Sequence, residues 1–238
     1  MIIVFSDSFA NDRIKELAEQ WSAIDRKIVL MEKFDKEEFI ISIDKLSKEI
    51  KQNFKGIKYL EYEYVFPLAN FTTVTHRQNG DDYEVDKYDY FQGSESWGHP
   101  AHDIMILDTD KNLLDDSTGK FVDVVSMSGG VVFATDTSWR VGSRLRGGKL
   151  VKIYDVTYDR IFYYSHLDSV TVNPGDIVKP GDKIGTVGRT GRRTILPEGK
   201  THLHIAMLKL EDGYPKPVEI IKLIFKTKEK YLNARKNK

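Results

Sequence analysis

The sequence predicts a mainly β protein, an antiparallel β-sheet or sandwich preceded by a helical N-terminal segment. Three observations carry that expectation. Apolar residues recur at helical spacing through residues 1–58. From Tyr59 onward they come instead in short runs separated by Gly, Pro, Asp and Asn, the pattern of antiparallel all-β domains. Two Pro-Gly-Asp hexads stand in tandem, Val172-Asn-Pro-Gly-Asp-Ile and Val178-Lys-Pro-Gly-Asp-Lys, and each suits a tight type II turn. The 238 residues divide into a helical region (1–58), a β domain (59–221) and a basic C-terminal helix or tail (222–238).

Taken in order, Ile14, Leu17, Ala18, Trp21, Ile24 and Ile28 form the stripe of a first helix. A second starts at Asp35, which has capping-box spacing to Glu38, and carries Ile43, Leu46, Ile50 and Phe54. The pair reads as a helical hairpin serving as spacer or cover. Strands are expected at Ile104–Leu107, Val122–Val125, Gly130–Ala134, Leu150–Tyr154, Arg160–Tyr164, Ile184–Val187 and His202–Leu208. From about Pro217 an amphipathic helix runs into a polar tail. Residues 222–238 hold seven Lys or Arg against one Glu, enough for weak contact with an anionic surface, although a solvated tail is the favoured reading.

Composition narrows the chemistry. Lys plus Arg and Asp plus Glu are both 36, so no overall field attracts nucleic acid. There is no cysteine, which removes disulfides, thiol catalysis and thiolate-bound zinc. No stretch has the length and apolarity of a transmembrane helix. The apolar start before Ser6 is too short for a signal-peptide core, so the expectation is a chain that is not exported or one that begins after a removed signal.

The histidines remain. Five of the six fall in three motifs: Gly98-His99-Pro-Ala-His102-Asp103, Tyr164-Ser-His166-Leu and Thr201-His202-Leu-His204, with His76 apart. On a strand, His202 and His204 share a face with their Cβ atoms about 6.5 Å apart. One imidazole can then ligate a metal while the other addresses whatever the metal binds. His99 and Asp103 would be roughly 13 Å apart on a straight strand, so a bend at Pro100-Ala101 is needed to make them converge. Two histidines and a carboxylate are a common catalytic zinc set that leaves a fourth position for water. On the same alternation Tyr164 is expected to share a face with His166 and to touch substrate. His102 is expected to face away from Asp103 as packing or support.

These motifs resemble the lysostaphin/LytM-type zinc metallopeptidases, which cleave peptide cross-links in bacterial peptidoglycan. Further landmarks are Gly129-Gly130-Val-Val, the two Pro-Gly-Asp turns, Gly188-Arg-Thr-Gly191 and the order of the three histidine motifs. The resemblance implies a duplicated-hybrid-motif-like β fold with an open groove. It implies one Zn2+ held by His99, Asp103 and His204, and His166 and His202 as the catalytic pair. It also implies peptidoglycan peptides as substrate and an extracytoplasmic location, periplasmic or secreted. Departures are Ala101 for the usual Gly, Ile205-Ala206 after the last histidine, and a longer polar stretch at Arg192–Lys200, read as a groove wall that sets specificity. The alternatives are a non-catalytic cell-wall-binding or regulatory module of the same fold and, more distantly, a sugar-phosphotransfer or biotinyl-type carrier domain. Asp108-Thr-Asp110-Lys-Asn112 with Asp115-Asp116 partly matches a calcium loop, but Leu113 stands at the sixth position where Gly is required, and an acidic surface turn is the expectation.

Overall fold

The computed structural model describes residues 4–54 and 63–237. The expected boundary between residues 58 and 59 lies outside the described residues. Two N-terminal helices, α1 (Val4–Leu30) and α2 (Lys36–Phe54), precede ten strands: β1 (Thr73–Val74), β2 (His102–Met105), β3 (Asp123–Val125), β4 (Gly130–Asp136), β5 (Lys149–Asp155), β6 (Arg160–Val170), β7 (Ile177–Val178), β8 (Lys183–Val187), β9 (His202–Glu211) and β10 (Tyr214–Val218). A helix, α3 (Ile221–Lys236), closes the chain. All seven expected strands form. Two of the three extra strands, β1 and β7, have only two residues each, too short to leave a period. The third, β10, takes Pro217, which the sequence reading gave to the last helix.

Local chemistry explains the joints. Asp35 Oδ1 accepts from the Glu38 N–H at 3.0 Å and starts α2, as the capping spacing requires. The end of α1 is a Schellman turn, with Met31 at φ 56 and the Glu32 N–H donating to the Lys27 carbonyl. In the tandem turns Gly175 and Gly181 sit at φ 96 and 92, and Asp176 and Asp182 donate their N–H groups to the Asn173 and Lys179 carbonyls. Those are type II turns. Each aspartate side chain also accepts the N–H of the same first residue, at 2.8 Å.

Every strand pairing is antiparallel, and the main path runs β1-β2-β9-β6-β5-β4-β7. Strand β10 lies on β9, while β8 pairs with both β3 and β6. Alternation gives the sheet two apolar faces. Phe162, Tyr164, Leu203 and Ile205 face a core with Leu68, Val124 and Ile184, closed by Ile221 and Ile224 of α3. Val131, Phe133, Tyr154 and Leu208 face the helices. Trp21 of α1, fully buried, stacks on Phe133 with ring centroids 4.4 Å apart.

The N-terminal helices are therefore not a loose spacer, because they complete one of the two cores. A buried ion pair pins them: Asp25 of α1 meets Lys152 of β5 at 2.6 Å, and the Tyr90 hydroxyl donates to the same carboxylate. Gly93 is required where the following segment crosses α1. A Cβ there would stand 2.0 Å from the Ile28 carbonyl oxygen, and φ is 47.

The C-terminal segment is helical to Lys236, with residues 232–237 exposed to solvent. Lys230 pairs with Glu63 at 2.7 Å, and the Tyr231 hydroxyl donates to the Ala69 carbonyl at 2.5 Å. The Asp108–Asp116 segment is an acidic turn whose carboxylates accept the Thr109, Asn112 and Leu113 N–H groups, with Leu113 at φ 74. Among the described residues no helix is long and apolar enough to cross a membrane.

Candidate metal centre and groove

Helix α1 packs on β4, and beside it the sheet forms, over β2, β6 and β9, the floor of a cavity of about 340 Å³. Ile28 and Val29 at the end of α1 form one wall, and Ser94, Ser96, residues 98–100, 145–147 and 193–194 form the others. All five histidine and aspartate residues singled out from the sequence, His99, Asp103, His166, His202 and His204, line this cavity.

Register brings them together. Asp103 on β2 is the Cα partner of His204 on β9, and His202 lies two residues earlier on β9. His204 Nδ1 is 3.1 Å from Asp103 Oδ1. His99 precedes β2 in a loop bent at Gly98, whose φ is 92 and where a Cβ would sit 2.4 Å from the Glu84 carbonyl oxygen. That bend brings His99 Nε2 to 3.4 Å from Asp103 Oδ1. Ligands about 2.0–2.1 Å from a tetrahedral zinc stand roughly 3.4 Å apart, and two imidazoles with one carboxylate are a donor set zinc takes. The three side chains fit such an ion, and their ligand atoms all lie within 4.8 Å of one another.

His166 and His202 flank this group, with ring centroids 4.9 Å apart. Three backbone carbonyls set the rings. Nδ1 lies 2.7 Å from the Asp82 carbonyl in His99, 2.7 Å from the Thr190 carbonyl in His166 and 2.7 Å from the Lys200 carbonyl in His202. A carbonyl only accepts, so Nδ1 carries the hydrogen and Nε2 faces the groove.

Burial and charge then divide the roles. Burial opposes ionisation of Asp103, but hydrogen bonds from His204 and His99 outweigh it and hold the carboxyl well below its usual range. Burial pulls the His204 imidazole down to about 4 despite Asp103. Burial, reinforced by His202 and His204, lowers His166 well below an ordinary histidine. For His99 burial acts downward too, but the Asp103 hydrogen bond and charge prevail and raise it. The centre at neutral pH is thus one carboxylate among imidazoles, two of which burial keeps neutral.

The Tyr164 expectation fails. Tyr164 is fully buried in the core opposite the groove, where its hydroxyl accepts the Met127 N–H at 2.8 Å. The cause is a β-bulge. Val151 pairs with Tyr164 and Lys149 with Leu167, so two residues of β6, Ser165 and His166, oppose one of β5. His166 takes φ 62 at this point, and it joins Tyr163 and Ser165 along the groove instead of following Tyr164 into the core. Tyr163 is the tyrosine beside the metal ligands, its ring 5.9 Å from His204, and burial pushes its hydroxyl up to about 12.

His102 is buried beneath the site and stacked on Tyr83, with Nδ1 3.6 Å from Asp82 Oδ2. Of the Arg192–Lys200 stretch, Arg193 and Thr194 line the cavity. Three further supports hold the site, and of these only Gly191 stood in a motif the sequence offered. Arg146 donates to the Ser96 and Gly98 carbonyls at 2.5 and 2.9 Å and ties the His99 loop down. Asp82 acts through its backbone. Gly191, at φ 119, leaves the space that His166 occupies, since a Cβ there would stand 2.7 Å from His166 Nδ1.

Among known proteins, residues 114–217 match the model of peptidase family M23. The match contains His166, His202 and His204 and begins after His99 and Asp103, whose part in the cluster rests on the geometry above. No curated protein matches the chain. Similar solved structures include a putative glycyl-glycine endopeptidase lytM from Ruminococcus gnavus, 20% identical, covering 93% of this chain and 87% of that one, TM-score 0.47. The antimicrobial peptidase lysostaphin from Staphylococcus simulans is 17% identical over 71% of this chain and 55% of its own, TM-score 0.40. A zinc containing peptidase from Vibrio cholerae is 22% identical over 65% and 39%, TM-score 0.41. This chain thus spans about half or less of the length of the latter two. By this match, residues 114–217 of the chain are similar to peptidase family M23.

Proposed function

We propose that the protein is a zinc-dependent endopeptidase that hydrolyses peptide cross-links of bacterial peptidoglycan, acting outside the cytoplasmic membrane where that polymer lies. The observation that supports this most is the convergence of His99, Asp103 and His204 beside His166 and His202 in one groove of a chain whose residues 114–217 match peptidase family M23. His99 Nε2, Asp103 Oδ1 and His204 Nδ1 would hold the ion. Zinc supplies a Lewis acid there, able to polarise the scissile carbonyl and acidify water.

The rest is work for the chain's own atoms. His166 donates Nδ1–H to the Thr190 carbonyl, and burial keeps it neutral, so its Nε2 lone pair is free to accept a proton from the attacking water. His202, on the neighbouring strand, keeps Nδ1–H on the Lys200 carbonyl and would donate from Nε2 only in its doubly protonated form, first to the developing oxyanion and then to the leaving amine. The groove walls hold the peptide against the β9 floor.

Purified protein incubated with peptidoglycan, with and without a chelator, tests the reading. New amine termini, read by mass spectrometry, are expected only when metal is present. His204→Ala is expected to lose stoichiometric zinc, whereas His166→Ala keeps zinc and loses activity by roughly 10²–10⁴-fold. No new termini under any metal condition overturns the proposal, and binding to the wall without cleavage would favour a non-catalytic module.

A further inference from the structure

The charge balance of the whole chain hides a local excess at the groove mouth. Six of the chain's arginines, Arg140, Arg144, Arg146, Arg189, Arg192 and Arg193, fall in two short segments, 140–146 and 189–193, that contain no Asp or Glu. Arg146 is spent on the His99 loop, and Arg189 donates to the Leu196 carbonyl. Arg192 has a long 3.4 Å pairing with the exposed Glu95. No hydrogen bond or ion pair is made by the side chains of Arg140, Arg144 or Arg193 among the described residues.

A second cavity, about 380 Å³, opens between these segments. Arg144, Arg192, Glu95 and Trp139 line it. Trp139 is only 8% exposed, yet its indole Nε1 has no acceptor. The two cavities share their rim. Glu95, Arg144 and Arg192 line this one, while their chain neighbours Ser94, Ser96, Leu145 and Arg193 line the catalytic groove.

We propose that this side cavity is a carboxylate subsite, so that the enzyme prefers substrate peptides carrying free carboxylates to neutral or amidated ones. The guanidiniums of Arg144 and Arg192 take the carboxylate as a planar acceptor beside the Trp139 ring, and Arg193 extends the same charge into the groove. The inference rests on the peptidase reading for the word substrate, but binding alone decides it.

The probe is a peptidoglycan stem tetrapeptide, L-Ala-γ-D-Glu-L-Lys-D-Ala, with its carboxylates free or all amidated. Calorimetric titration of the full chain without metal is expected to give about tenfold tighter binding of the acid form, weakening with salt. In Arg144→Gln/Arg192→Gln the preference is expected to collapse towards one, with the melting temperature unchanged because both side chains are exposed. Equal affinity for the two forms, no binding of either, or a preference that survives the double variant overturns the subsite. Preference without cleavage in the peptidoglycan assay leaves the subsite standing and removes the peptidase. Cleavage without preference does the reverse.

Discussion

Removing the Asp25 carboxylate tests whether the N-terminal helices belong to the domain or merely cover it. Asp25 is 3% exposed and Lys152 5%. Their contact is 2.6 Å, and the carboxylate is also the acceptor of the Tyr90 hydroxyl. Asp25→Ala leaves a buried ammonium without its anion and a buried hydroxyl without its acceptor. Breaking such a pair from one side costs about 3–5 kcal/mol. At about 2–4 °C per kcal/mol for a chain of this size, the melting temperature should fall by roughly 6–20 °C in calorimetry or circular dichroism. Replacing both partners is a different perturbation. Asp25→Leu/Lys152→Met exchanges ions for apolar volume and should recover most of the loss, because no uncompensated charge remains. A fall below about 3 °C in the single variant, or a double variant no better than the single, would refute the reasoning.

Three further outcomes are expected. Gly191→Ala places a methyl 2.7 Å from His166 Nδ1 and from the Arg146 carbonyl oxygen, so kcat should drop by about 10²-fold while bound zinc per chain stays constant; unchanged kcat would show that the ring moves freely. Tyr164→Phe strands the Met127 N–H and should cost about 1–3 kcal/mol in denaturant unfolding without moving KM, whereas a raised KM would return Tyr164 to the groove. Burial opposes ionisation of Asp115, but bonds from Ser117 and Thr118 outweigh it and hold the carboxyl below its ordinary value. Its stabilisation is therefore present above the unfolded pKa near 3.9 and is lost as pH falls through the lower folded value. Asp115→Asn should accordingly be less stable than the parent at pH 7, with the gap closing in acid; a gap independent of pH would contradict this.

What could be read beforehand was whatever had a period or a fixed turn chemistry. The α1 stripe, the Asp35 cap, seven strands and both Pro-Gly turns are local rules that tertiary contacts did not override. The His-x-His pair was legible for the same reason, because β9 is a regular strand. Tyr164 was misplaced because the bulge at Ser165-His166 has no glycine to announce it. An extra residue in one strand reverses the face of everything beyond it. The two cores were illegible for another reason. Which sheet face α1 and α2 would occupy depends on Phe133 and Tyr154, far along the chain from Trp21, and no window of sequence holds both. The arginines of the rim gave no period at all, since loops carry charge without pattern.

The carbonyls of Asp82, Thr190 and Lys200 that orient three of the imidazoles belong to the main chain. Every amino acid, proline included, offers the same oxygen. Point substitution at those three positions therefore cannot delete the acceptor itself, and what it puts at risk is the separate work of the Thr190 hydroxyl and the Asp82 carboxylate, which hold the Leu167 carbonyl and the Arg77 N–H. Insertion or deletion is another matter, because one residue more or less in any of the three loops swings the carbonyl away from its ring. Loss of these acceptors would be recorded in loop length, not in loop composition.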